Sequence, residues 1–243
     1  MNPTYIHLES IRSTNTYLAQ NAEGAVHGTV VYADCQTAGR GQRGNSWESA
    51  DFKNITMSML LRPANVKPSC QFWLSEAVAL AVVHTLDRYI DNGVSIKWPN
   101  DIYWNDRKIC GILVEHSLSG GKIDHTIAGI GLNINQEKFL SDAPNPVSLS
   151  QITGSDESID HLLERILQAF DDYYRRVQEG DYAGISREYH EALYRRKGFY
   201  RYRDADGEFD AELVGVAYDG RLSLRDSEGR QRSYTFKEVE FII

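Results

Sequence analysis

The chain has 243 residues, 42% hydrophobic, 25% charged and 11% aromatic. That make-up excludes collagen-like, disordered and disulfide-scaffold classes and leaves room for a sizeable core. Lysine plus arginine number 26 against 34 acids, a formal charge of −8, which argues against a protein that grips a nucleic-acid backbone over a broad surface.

The N-terminus, MNPTYIHLES, has no basic start followed by an apolar stretch and is not a secretory signal. The three cysteines, Cys35, Cys70 and Cys110, are odd in number and widely spaced, which suits a reducing compartment. The longest unbroken apolar run, Ala77 to Val83, has seven residues, where a membrane span needs about 20. A cytoplasmic protein without membrane association is expected.

In chain order, Tyr5 to Leu8 reads as a strand, and Ser13-Thr14-Asn15 offers cap oxygens to a short helix after it. Thr29 to Gln36 and Ile55 to Leu61 read as strands; in the second, Ile55, Met57, Met59 and Leu61 alternate with Thr56, Ser58 and Leu60. Between them lie about eighteen residues rich in Gly, Arg, Asn and Ser, a loop whose length inside a compact domain points to a functional or a disordered segment. Gln71 to Ile90 is apolar around nearly its whole helical circumference, which predicts a buried helix. Then come a strand near Ser95 to Trp98, a hairpin at Asn105-Asp106, and strands over Ile109 to Glu115 and Ile123 to Asn133. Ile159 to Val177 has amphipathic helical spacing, and a further helix covers Tyr182 to Tyr194. From Gly198 on, short alternating runs separated by Asp206-Gly207, Asp219-Gly220 and Glu228-Gly229 predict a small β-barrel. Its core is marginal alone, so it should pack on the first domain.

Three segments carry chemistry. Gly39-Arg40-Gly41-Gln42-Arg43-Gly44 fits G-x-G-x-x-G literally, but no helical pattern follows it and no acid stands near Met59 to Arg62, so a dinucleotide site is rejected. What remains is a flexible backbone with two guanidiniums and no acid between Thr37 and Ser46, suited to phosphate or carboxylate. Lys97-Trp98-Pro99-Asn100-Asp101 ends a strand, with Pro99 stopping the pairing, and Lys108-Ile109-Cys110-Gly111 opens the next hairpin arm. Gly129 and Gly131 interrupt an apolar strand in GIGLNIN, marking close approach of a ligand or backbone.

Ser13-Thr14-Asn15, Gln36 with GRGQRGNSW, KWPND, K-x-x-G-I-L-V-E and GIGLNIN, in that order and spacing, resemble the biotin–protein ligases over roughly residues 5–135. The resemblance implies an α+β fold: a mixed-sheet catalytic domain of the biotin/lipoate ligase type over residues 1–195, with a C-terminal SH3-like β-barrel over 196–243. It implies an enzyme that forms biotinyl-5′-AMP from biotin and ATP, with Mg²⁺, and passes biotin to a lysine of a biotin carboxyl carrier domain. Ser13, Thr14, Asn15 and Gln36 would then bind the ureido ring, while Arg40, Gly41 and Gln42 line the carboxylate and phosphate region. Lys108 would bridge the biotin carbonyl and the phosphate, with Arg40 and Arg43 as further catalytic cations and Gly111 leaving room for the ligand. Trp47 would stack on adenine, Asn100 and Asn133 would bond near the nucleotide, and Asp101 with Lys97 would handle the Mg²⁺-bound phosphates.

Some members carry arginine where this chain has Gln42 and Asn45, so weaker retention of the adenylate is expected. The family's repressors add an N-terminal helix-turn-helix; with Ser13 so near the start, a ligase without operator binding is expected. A rival on the same type of domain is a lipoate ligase or an octanoyl transferase using Cys110 as nucleophile, and another is a non-catalytic vitamin or nucleotide binder. An exposed strand edge would serve acceptor docking or a homodimer.

Overall fold

The computed structural model describes residues 3–141 and 144–243, and of Arg43 the backbone only. Its main sheet begins with β1 (Thr4–Ile11), which runs parallel to β2 (Thr29–Gln36). Helix α1 (Thr14–Asn21) makes the crossover between them. Ser13 caps it, its hydroxyl accepting from the Thr16 amide at 3.5 Å. Strands β3 (Asn54–Leu61), β4 (Val94–Lys97), β5 (Asp101–Trp104), β6 (Arg107–Ser119) and β7 (Lys122–Asn133) complete seven strands in the order β1-β2-β3-β7-β6-β5-β4.

Strand alternation divides the apolar residues between two faces. Ile55, Met57, Met59 and Leu61 of β3, with Ala128, Ile130 and Leu132 of β7, join the main core. That core holds the buried helix α2 (Phe72–Leu86) and the amphipathic helix α4 (Ile159–Glu179). On the opposite face Leu60 meets Leu18 of α1, Val31 and Ile127 in a smaller cluster. The β3 alternation seen in the sequence is therefore a division between two cores, and every residue of the strand is buried.

The C-terminal part is a second, five-stranded antiparallel sheet, in the order β11-β10-β9-β8-β12. Its strands are β8 (Phe199–Asp204), β9 (Gly207–Val216), β10 (Leu222–Asp226), β11 (Gln231–Tyr234) and β12 (Glu240–Phe241). The overall α+β plan is thus a mixed sheet followed by a small β-module, and the three Asx/Glu-Gly pairs fall at its turns. The module shares the main core, to which it contributes Leu213, Val216, Leu222 and Phe241. The Trp98 indole also donates to the Gly220 carbonyl at 2.9 Å.

Several boundaries differ from the sequence reading. Pro99 lies outside strand pairing, yet pairing resumes at once: Lys97 faces Asp101, and Trp98-Pro99-Asn100 forms a tight turn between β4 and β5. The long loop after β2 is not wholly irregular, since it holds a 3-10 turn at Gln42–Gly44 and an Arg40–Ser46 bridge. Helix α5 (Tyr182–Glu191) stops short of Tyr194 because the next residues turn to β4, where Ile96 donates to Ala192 and Tyr194 donates to Ile96. The short helix α3 (Leu149–Thr153), with a capping box from Ser148 and Gln151, was not anticipated.

Candidate active site

A cavity of about 1040 Å³ opens between the α1 face of the main sheet, the glycine–arginine loop and the C-terminal module. Sheet register builds its floor. Gly111 of β6 pairs with Gly131 of β7, and Leu113 pairs with Gly129. These glycines leave the surface bare where neighbours come in. A Cβ at Gly129 would overlap Asn15 Oδ1, and one at Gly131 would lie 2.5 Å from Trp47 Nε1. Glycine is required here by close approach.

At one end α1 delivers Ser13, Thr14 and Asn15, all buried. The Thr14 amide and hydroxyl donate to Gln36 Oε1 at 2.8 and 3.1 Å. The Ser58 hydroxyl lies 2.7 Å from Thr14 Oγ1 and 2.6 Å from Asn15 Oδ1, one proton shared between two acceptors. Asn15 Nδ2 donates to the Leu113 carbonyl at 3.3 Å and to Glu115 Oε2 at 3.0 Å. This end is a pre-wired set of donors and acceptors on a rigid sheet.

The opposite end is cationic. Lys108 Nζ is 2.7 Å from Asp101 Oδ1 and 5.6 Å from the centre of the Trp47 ring. Lys97 Nζ lies between two rings, 5.3 Å from Tyr103 and 4.9 Å from Phe241 of the C-terminal module. Burial pushes the Lys97 ammonium below the ordinary amine range, with Asp101 pulling the other way. Asn100 closes the turn over β6: its Nδ2 donates to the Ile112 carbonyl at 2.6 Å, and the Ile112 amide donates to its carbonyl.

Thus Ser13, Thr14, Asn15, Gln36, Arg40, Gly41, Gln42, Trp47, Lys97, Asn100, Asp101, Lys108 and Gly111 all border one cavity. Four differences from the sequence reading stand out. Arg40 is not an unpaired cation: its two terminal nitrogens meet Glu115 of β6 at 2.7 and 3.2 Å. The room left by Gly111 is filled by the Trp47 indole, whose buried Nε1 has no partner among the described residues. Asn133 does not line the cavity; it is buried, with Nδ2 on the Val147 carbonyl at 3.1 Å and Oδ1 unpartnered among the described residues. Asp101 is engaged by Lys108, while Lys97, though opposite it in the strand pair, sits among rings. The Arg43 side chain lies outside the described residues.

Sequence reasoning missed Ser58 and Glu115, and also Lys237, Val239 and Glu240, which line the cavity from the C-terminal module. Nothing local marks them; only strand register and module docking bring them in. Cys110 faces the core, fully buried, and burial pushes its thiol far above the ordinary range.

Residues 7–133, more than half the chain, match the model of the biotin/lipoate A/B protein ligase family. The chain belongs to that family. A bifunctional ligase/repressor BirA of Bacillus subtilis (strain 168) is 33% identical over 235 residues, covering 94% of this chain and 70% of the relative. A biotin–[acetyl-CoA-carboxylase] ligase of Paracoccus denitrificans is 30% identical over 226 residues, covering 90% and 93%. Among solved structures, the Aquifex aeolicus biotin protein ligase in complex with biotin and ATP superimposes with a TM-score of 0.82. It is 26% identical, and the match covers 99% of this chain and 98% of that one. Within the biotin/lipoate ligase family this chain therefore aligns with biotin-specific members over both of its sheets.

Proposed function

We propose that the protein is an ATP-dependent biotin–protein ligase. The observation that carries this is the single cavity joining the Ser13–Thr14–Asn15–Gln36 hydrogen-bonding end to the Lys108, Lys97 and Arg40 cations. Its roughly 1040 Å³ suits two ligands side by side better than one small vitamin. The similar Aquifex aeolicus biotin protein ligase is solved in complex with biotin and ATP.

In this reading the ureido ring of biotin binds Ser13, Thr14, Asn15 and Gln36, and its carboxylate extends toward Lys108. The carboxylate oxygen attacks the α-phosphorus of ATP, forming the acyl–phosphate bond as the bond to pyrophosphate breaks. Two anions must approach, and Lys108, Arg40 and Lys97 offset their repulsion from preset positions, with Arg43 a further candidate cation of the loop. Asp101 orients the Lys108 ammonium. Trp47 stacks on adenine, and Gly41, Gln42 and Asn100 line its surroundings. Asn133 supports that end from one layer back, through the Val147 carbonyl that it holds. Asp101 and Glu240 are the carboxylates bordering the cavity among the described residues. Such hard oxygen donors fit a Mg²⁺ brought in by the triphosphate, where it would neutralise phosphate charge.

In the second half-reaction the lysine amine of a biotin carboxyl carrier domain attacks the acyl carbon and releases AMP. Strand β1 is an outer strand of the large sheet, and such an edge offers strand pairing to the carrier. We place the unit boundary at 195/196, because residues up to Tyr194 pair with β4 and the C-terminal sheet starts at Phe199.

The buried, acid-weak Cys110 disfavours an acyl-transferase reading that needs a thiolate. ATP–pyrophosphate exchange driven by biotin, lipoate or octanoate is the deciding measurement. Exchange with biotin alone is expected; exchange only with lipoate would move the protein to the other branch of its family. Biotin binding without exchange would make it a binder.

A further inference from the structure

The last residue of the K-x-x-G-I-L-V-E segment, Glu115, has no place in the scheme above, yet it joins the glycine–arginine loop to the ring-binding end of the site. It does not border the cavity. Its Oε1 accepts from Arg40 Nη2 at 2.7 Å, and its Oε2 accepts from Arg40 Nη1 at 3.2 Å and from Asn15 Nδ2 at 3.0 Å. Asn15 is itself fixed, since its amide also reaches the Leu113 carbonyl and its Oδ1 faces the Ser58 hydroxyl. One carboxylate thus ties the mobile-by-composition glycine loop, through Arg40, to the buried end that α1 builds.

We propose that Glu115 is a positioning residue that fixes Arg40, and with it the loop after β2, over the ring-binding end of the cavity; the ligand assignment within this rests on the biotin-ligase reading. An arginine flanked by glycines has many orientations to lose on binding, and a bidentate carboxylate removes that freedom before the substrate arrives. The end-on grip uses one hydrogen of each terminal nitrogen. The Nε–H and the two remaining hydrogens stay available to a substrate anion. Because Asn15 shares Oε2, a shift at the ring-binding end is passed to the guanidinium through two hydrogen bonds. The carboxylate is therefore an anchor for Arg40 rather than a competitor for the incoming anion.

The test is a double-mutant cycle of Glu115→Gln and Arg40→Gln on the full chain. The glutamine keeps the size and an acceptor for Asn15 but loses the ion pair. Both side chains of the pair are part-exposed, so the expected effect is modest. Glu115→Gln should raise the biotin KM in pyrophosphate exchange about fivefold and leave kcat nearly unchanged. The same substitution should add nothing in the Arg40→Gln background. Tryptic cleavage after Arg43 in the unliganded protein should also speed up about fivefold, an arm that does not depend on which acid is activated. A KM that stays level or falls, cleavage that does not accelerate, or an equal loss in the Arg40→Gln background would overturn the proposal. Wild-type protein inert toward biotin would instead overturn the ligase reading and leave the cleavage arm to judge the anchor.

Discussion

Two substitutions at single residues separate chemistry from architecture. Lys108 holds an ammonium 2.7 Å from Asp101 in a cleft partly closed from water. Lys108→Ala should slow adenylation by roughly two to three orders of magnitude with little change in unfolding midpoint, the loss typical of a preset charge donor. Single-turnover adenylate formation measures it. Gly129→Ala adds one methyl group where Asn15 Oδ1 already lies, with Asn15 Cγ 2.9 Å from the new carbon. Displacing Asn15 by a fraction of an ångström should weaken biotin use up to about a hundredfold, read as kcat/KM, while nucleotide affinity stays near wild type. The residues in contiguous motifs were readable: Lys108, Asn100, Asp101 and the glycines announced themselves by unusual types in apolar strands. Ser58 and Glu115 did not, because an ordinary serine and glutamate on strands acquire meaning only through which face register gives them. The same lack of three-dimensional information made Arg40 look like a free cation.

At the scale of elements, the loop after β2 is held at both ends. Arg40 is fastened to β6, and Glu48 fastens the far end to the segment after β7. The Glu48 carboxylate accepts from the amides of Leu140 and Ser141 at 2.8 and 2.7 Å and from Gln136 Nε2 at 3.1 Å. Burial alone would raise its pKa, but the hydrogen bonds from Ser141, Leu140 and Gln136 outweigh that and hold it below the ordinary value. A lowered carboxyl pKa contributes stability above its unfolded value, lost as pH falls through the folded one. Loop protection against protease should therefore be full at neutral pH and decline in acid below the ordinary glutamate range. Glu48→Gln should show less protection at neutral pH and a flatter decline; an unaltered profile would remove Glu48 from this role. The regular elements were legible from alternation and helical spacing. The β4–β5 turn and the short helix α3 were less so, because short pieces carry too few residues to display a period.

Across the whole molecule, the join between helices α2 and α5 carries a titration. Glu76 is fully buried on α2, with Ser186 of α5 donating to Oε2 at 2.8 Å and Oε1 left without a partner among the described residues. Burial pushes its carboxyl up to about 7 from 4.5, with the Ser186 bond opposing. The folded state then holds a proton that the unfolded chain releases, so stability falls as pH rises from about 4.5 to 7 and levels off above. The full span is about 3 kcal/mol. Glu76→Gln should abolish most of that slope, making the variant more stable than wild type at pH 8 and similar near pH 5. Urea unfolding at the two pH values checks it, and parallel slopes would refute it.

The arrangement of the cavity also bears on how the protein is made. Ser13 and Phe241 border the same space, although one precedes the first helix and the other lies in the last strand of the second sheet. A nascent chain exposes the ring-binding end and Lys108 while the wall formed by Val239 to Phe241 does not yet exist. The cavity is therefore complete only when β12 has docked, with Phe241 seated in the main core.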